Sequence, residues 1–155
     1  MKAIHVSILF VLILMLSLIL LVNGSEILIE PLIKGLNIPI GTLIAWVGLV
    51  SFPSAIYFGF YKILISKHTI FKFYRVLLIL VIIFTVFWGF ISYYLAANWY
   101  FTFNITEGFR GSERAFKYFE YLSLIAVSLP VLFLLVFSIH MIFRKLGRSK
   151  YFQSL

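Results

Sequence analysis

Few residues in this chain can do chemistry. There are three histidines (His5, His68, His140), five glutamates (Glu26, Glu30, Glu107, Glu113, Glu120) and scattered serines and threonines, with no cysteine and no aspartate. The missing thiols exclude disulfide staples, thiolate zinc sites, iron–sulfur ligation and redox-thiol mechanisms. Three histidines brought together could hold a metal ion or sense pH. His5 opens the first apolar segment, His140 closes the last, and His68 lies between the second and third, so one end of the molecule could gather them. No carboxylate stands in sequence range to orient them as ligands, and histidines in such places more often simply stay solvated.

The hydroxyls offer even less. Ser51, Ser92 and Ser128 lie deep in apolar segments, with no histidine or acid at comparable depth to activate them. No Gly-x-Ser-x-Gly elbow, HExxH or phosphate loop is present. Proton- and cation-coupled carriers usually bury an ionisable residue at membrane depth. The nearest here is Glu120, expected as a surface partner of Lys117 at i, i+3. The expectation is therefore no catalytic residue, no metal and no cofactor.

These residues are strung between four apolar runs: Ala3–Val22, Ile38–Ile65, Val76–Ala97 and Tyr118–Phe143. Each reaches the roughly 20 residues that a helix needs to cross a hydrocarbon layer about 30 Å thick. At 63% hydrophobic and a mean hydropathy of +1.11, the chain carries more apolar surface than a soluble domain can bury. The predicted class is an all-α integral membrane protein. It is a single domain over 1–155, with spans at about 3–22, 38–65, 76–97 and 118–143 packed as an up-down four-helix bundle. The first run exceeds the 7–15 residues of a signal-peptide apolar region and reads as a retained helix.

The net charge of +8 orients the bundle. Lys67, Lys72 and Arg75 fall in the loop 66–75, and Arg144, Lys145, Arg148 and Lys150 in the tail 144–155, with no acid in either. The other two loops mix signs, with Glu26, Glu30 and Lys34 in the first and Glu107, Arg110, Glu113, Arg114 and Lys117 in the last. The positive-inside rule puts both termini and the 66–75 loop in the cytoplasm. The Phe, Ile and Lys richness suits an AT-rich bacterial gene, hence a bacterial inner membrane. The basic stretches are too sparse to track a nucleic-acid backbone, so no direct nucleic-acid binding is expected. They suit an acidic cytoplasmic protein partner or anionic lipid headgroups. At the opposite side, Glu26-to-Gly35 is expected to lie along the membrane surface. Trp99, Tyr100, Phe101, Phe103, Phe109 and Phe116 are expected to form an aromatic belt.

Small residues set the packing expectation. Gly41, Ala45, Gly48, Phe52, Ala55 and Gly59 recur at a/d spacing along the second span, with a shorter stripe of Thr85, Gly89, Ser92 and Ala96 in the third. Such residues let helix backbones approach where lipid supplies little hydrophobic drive between helices. A spacing of 3.5 implies a left-handed crossing. The stripe predicts close packing of spans two and three, or of span two on its copy in a homo-oligomer. Pro53 and Pro130 stand mid-span in similar contexts, after Ser51 and Ser128, and each removes a helical hydrogen bond and kinks its helix. The freed carbonyls of Leu49 and Ala126 must then face protein, hydroxyl or water. Trp46, Phe52, Trp88 and Phe90 could line a lipid or quinone pocket, or serve as core or lipid-facing bulk.

Two functions compete. The first is a non-catalytic, oligomeric multi-pass subunit that anchors or senses at the membrane and docks a cytoplasmic partner through the basic loop and tail. The second is a small channel or carrier for a neutral or anionic solute. It would be gated at Pro53 and Pro130 and lined by Ser51, Thr85, Ser92 and Ser128. A membrane enzyme would require convergence of the three histidines. In span number and terminus placement, the chain resembles two groups of small bacterial four-span proteins. One comprises immunity proteins that block pore-forming toxins within the membrane. The other comprises membrane subunits of two-protein phage-defence systems that anchor a soluble effector. Both resemblances imply the first function.

Overall fold

The structure is a computed structural model and describes residues 2–24, 26–32, 39–96 and 112–152. Five helices account for nearly all of these: α1 (Ala3–Val22), α2 (Ile40–Gly59), α3 (Tyr61–Leu64), α4 (Thr69–Ala96) and α5 (Glu113–Phe152). Four segments are long and apolar enough to cross a membrane: Ala3–Val22, Ile40–Gly59, Thr69–Ser92 and Glu113–Lys145.

Helix α1 matches its predicted bounds at both ends. It stops because Asn23 caps it, donating its N–H to the Ile19 carbonyl at 3.0 Å, and Gly24 then turns the chain at φ 60°, the left-handed conformation glycine adopts freely. A single 3-10 turn at Glu26–Leu28 follows, with Leu28 buried and Ile27, Ile29 and Leu32 exposed. A bridge pairs Pro31 with Pro39, and the Ile40 N–H donates to the Glu30 carbonyl at 2.9 Å. The start of α2 is thereby pinned beside the end of the turn. Lys34 and the rest of the predicted surface segment fall at 33–38, outside the described residues.

The other boundaries depart from the apolar runs. The second run was expected as one span through Ile65, but α2 ends at Gly59. Phe60 (φ −100°, ψ 12°) caps α2 and starts the single turn α3. Glycine weakens the helix at this point, and Phe60 turns its ring onto Phe137 at 4.9 Å. Helix α4 begins at Thr69, not Val76, so Lys72 and Arg75 ride its first turns and the connection is only 65–68. Its apolar residues Phe71 and Leu78, one heptad apart, are buried while Lys72 is exposed. That amphipathic opening extends the helix past the hydrocarbon-length stretch. Helix α5 begins at Glu113 because Ser112 accepts the Ala115 N–H at 3.2 Å, an N-cap. The helix then continues through most of the tail to Phe152.

Helix α1 packs chiefly on α2, while α2, α4 and α5 contact one another. The main core lies at the end of the molecule where α3, the start of α4 and the end of α5 meet. Ile56, Leu64, Phe71, Leu78, Phe133 and Phe137 are buried there. Phe133 and Phe137 stack at 5.8 Å, and Tyr74 stands edge-on to both at 5.9 and 5.3 Å. Such geometries match the ring quadrupoles and add to simple area burial.

Helix α1 is inverted relative to a soluble amphipathic helix. Its only buried residues are Ser7 and Ser17, while Leu12, Met15, Leu16 and Ile19 are more than half exposed. Lipid accepts the leucines, and the serines permit close approach to α2. A Cβ at Gly48 would lie 3.0 Å from the Ser17 Cβ, and one at Gly59 would lie 3.1 Å from the Ser7 Oγ. The Ser7 hydroxyl donates to the Ala55 carbonyl at 2.9 Å. Gly48, Ala55 and Gly59 of the α2 stripe therefore meet α1, while α2 also packs on α4, as its spacing had suggested, through Trp46 and Gly89. Serines on α1 supply the small partners that a search for glycine and alanine passes over. Ser7→Ala is expected to lower stability by about 0.6–1.7 kcal/mol, the range for interhelical hydrogen bonds in membranes, read by unfolding in mixed micelles.

Candidate functional site at the basic end

The ends of the bundle differ in charge, one basic throughout and the other mixed. The start of α1, the α2–α3 break, the 65–68 connection, the start of α4 and the end of α5 form one end. Here lie Lys2, Lys62, Lys67, Lys72, Arg75, Arg144 and Lys145, followed by Arg148 and Lys150 in sequence, and no aspartate or glutamate. All five glutamates belong to the segments joining the opposite ends of the spans or to the first turns of α5. Lys67, Lys72 and Lys145 are exposed. Arg144 is not: it is half-buried, its guanidinium carbon 4.7 Å from the centre of the buried Phe71 ring. Of the residues expected to dock a partner, Arg144 is thus tied into the fold by a cation–π contact. Arg148 and Lys150 continue helix α5, and their side chains lie outside what the structure describes.

The histidines do not make a metal centre. His68 and His140 approach the same ring, Phe71, at 5.8 and 6.1 Å, and His140 also meets Tyr74 at 5.6 Å. His5 stands exposed on α1. Among the described residues, no three histidines or carboxylates are grouped closely enough to hold a metal ion.

The proposed gate hydroxyls are all turned back onto their own helices. Ser51 donates to the Val47 carbonyl at 2.7 Å, Thr85 to Ile82 at 2.9 Å, Ser92 to Trp88 at 2.6 Å and Ser128 to Ile125 at 3.5 Å. Ser54, which sequence reasoning passed over, does the same to Val50 at 2.7 Å. Such back-bonding satisfies a hydroxyl without water. Pro53 and Pro130 are both fully buried inside α2 and α5.

The tryptophans act as bridges between helices. Trp46 of α2 lies on Gly89 of α4, where a Cβ would come within 2.6 Å of its ring, and its indole N–H is shared by the Thr85 and Val86 carbonyls at 3.1 Å each. Trp88 faces the other way and donates to the Ser123 hydroxyl of α5 at 3.2 Å. Phe90 meets Trp46 edge-on at 5.1 Å, and Phe52 packs against the aromatic core. Of the four rings proposed to line one pocket, Trp46 and Phe90 thus meet each other, while Trp88 faces α5 and Phe52 packs on the aromatic core. An indole with its N–H satisfied across a helix pair is a packing element, and the small residue facing it, Gly89, was its sequence signal.

At the far end, Lys117 pairs with Glu113 at 3.3 Å, not with Glu120. The helix starts early enough to place Glu113 on it, and Glu four residues before Lys is the favoured order. Both side chains are well exposed, so the pair adds little stability. Of the expected aromatic belt, Phe116 is described on α5, while Trp99, Tyr100, Phe101, Phe103 and Phe109 lie outside the described residues. Compared with known protein families, curated proteins and solved structures, the chain matches none.

Proposed function

We propose that this protein is a non-catalytic multi-pass membrane subunit that docks an acidic cytoplasmic partner on its basic end. The observation that carries the reading is the form of the tail. Helix α5 runs unbroken for 40 residues from Glu113 to Phe152, about 60 Å at 1.5 Å per residue, against a hydrocarbon layer of about 30 Å. Its last turns bear Arg144, Lys145, Arg148 and Lys150. A basic segment held as a helix is already ordered, so a partner need not meet the entropy of ordering it. Exposed Lys67 and Lys72 with Arg75 extend the same field at the start of α4.

In this reading the four spans form an up-down bundle with both termini cytoplasmic in a bacterial inner membrane, as the cation distribution favours. Pro53 and Pro130 kink α2 and α5, with the Leu49 and Ala126 carbonyls turned toward protein. The protein assembles as a homo-oligomer in this reading. A part in antiviral defence or toxin immunity is the narrower form of the proposal and rests on span layout alone. The channel or carrier alternative has less support, because the hydroxyls at Ser51, Thr85, Ser92 and Ser128 are satisfied by their own helices.

The test is native mass after extraction from the host in mild detergent. A species holding a soluble protein with one or more copies of the chain is expected, and a chain truncated after Phe143 should insert normally yet lose that protein. A truncated chain that still retains it would remove the tail from the mechanism. A full-length chain with nothing attached would favour the solute reading, which flux in liposomes then measures.

A further inference from the structure

We propose that the cleft between α3, the start of α4 and the end of α5 binds the headgroup phosphate of an anionic phospholipid through Arg144 and Lys145. The cleft has a volume of about 570 Å³, within the roughly 300–1,000 Å³ of small-molecule sites. Ile63, Met141 and Ile142 form an apolar wall, and Ser66, Arg144 and Lys145 form a polar mouth.

Arg144 makes this a site instead of a charged surface. Phe71, only 2% exposed, lies beneath the guanidinium, whose central carbon stands 4.7 Å from the ring centre. A cation–π contact uses the charge over the ring face and does not consume the N–H donors, which can still meet a bidentate acceptor. Among the described residues, no carboxylate or carbonyl accepts from it, and the sequence holds no aspartate or glutamate between Glu30 and Glu107 or after Glu120. A half-buried guanidinium with no anion beside it among the described residues calls for one from outside. Lys145 adds a second cation beside it, and the Ser66 hydroxyl, which accepts the His68 N–H at 3.3 Å, keeps its own hydrogen to donate.

The depth and the wall choose lipid over a soluble anion. The apolar run of α5 ends at Phe143 and the cations Arg144 and Lys145 follow it directly, which sets the mouth at headgroup level. The wall runs outward into lipid-facing surface, with Ile142 59% and Phe143 69% exposed. An acyl chain can follow that surface from a phosphate in the cleft, a use that inorganic phosphate or an acidic peptide lacks. Basic pockets between spans recognise headgroups in this way. The inference shares Arg144 and Lys145 with partner docking but requires no soluble protein, so lipid retention can fail or succeed on its own.

The experiment is native mass spectrometry of the full chain released from nanodiscs of phosphatidylcholine with phosphatidylglycerol. Preferential retention of phosphatidylglycerol is expected. Arg144→Gln and Lys145→Gln should each reduce it about fivefold, the effect of one cation near a membrane surface. Arg144→Lys should keep only part of the loss at bay, because a point charge replaces a fork. Lys117→Gln at the opposite end should change nothing. Lys145→Gln leaves the Phe71 stack untouched, so it reads the site even if Arg144→Gln disturbs the fold. Equal retention of the two lipids, equal behaviour of Lys145→Gln and Lys117→Gln, or displacement of the lipid by millimolar inorganic phosphate would each overturn the proposal.

Discussion

Gly89→Ala is expected to destabilise the protein by about 1–3 kcal/mol, the usual penalty for overpacking, and Gly89→Leu by more. The added Cβ would stand 2.6 Å from Trp46 Cδ2 and Cε2 and 2.9 Å from Cε3. Those atoms belong to the rigid fused ring system, so no side-chain end can swing clear. The whole indole must move, and it is held on two sides, by the shared hydrogen bond to the Thr85 and Val86 carbonyls and by the edge of Phe90. Moving it opens the contact between α2 and α4. The measurement is unfolding in mixed micelles followed by tryptophan fluorescence. The decisive comparison is a double-mutant cycle, since residues in contact couple by about 0.5–3 kcal/mol. Trp46→Leu alone should weaken the protein, and Trp46→Leu with Gly89→Ala should be more stable than the sum of the two changes implies. Additive effects would mean that Gly89 is small for some reason other than Trp46.

How much of this could be read in advance depended on which physical quantity left a mark in the sequence. Bilayer thickness leaves a strong one, so four spans were legible, and α1 matched at its C-terminal end because Asn23 and Gly24 punctuate it. Helix ends elsewhere are set by hydrogen bonding and capping, not by hydrocarbon. Lys72 and Arg75 were read as loop because they are charged, although Phe71 and Leu78 continue a buried face through them. The cap at Ser112, a readable signal, lay outside the apolar run and so Glu113 was kept off the helix, which assigned Lys117 the wrong partner. Aromatic packing was the least legible feature. Phe71, Tyr74, Phe133 and Phe137 sit among equally apolar neighbours, and in a membrane span hydrophobicity no longer separates core from surface. The small-residue stripe on α2 was visible, but a stripe records that something approaches closely and does not record what.

A covalent link can decide what approaches it. The chain has no cysteine, so Ser7→Cys with Gly59→Cys introduces the only two thiols. A Cβ at Gly59 would lie 3.9 Å from the Ser7 Cβ, close to the roughly 3.8 Å that a disulfide spans. Mild oxidation is expected to join α1 to α2 within one chain, giving a monomer that migrates faster on a non-reducing gel and reverts on reduction. Adding Gly48→Leu should suppress the link. At Gly48 even a Cβ would come 3.0 Å from the Ser17 Cβ, and the α1 and α2 backbones must separate to admit a longer side chain. Pairing Ser7→Cys with Thr69→Cys, on the exposed start of α4, supplies the control that should stay reduced. A disulfide-linked dimer in place of the fast monomer would assign the stripe to a second copy. Helix α1 would then be the element that exchanges between chains, and the same seven-residue spacing would be an assembly surface.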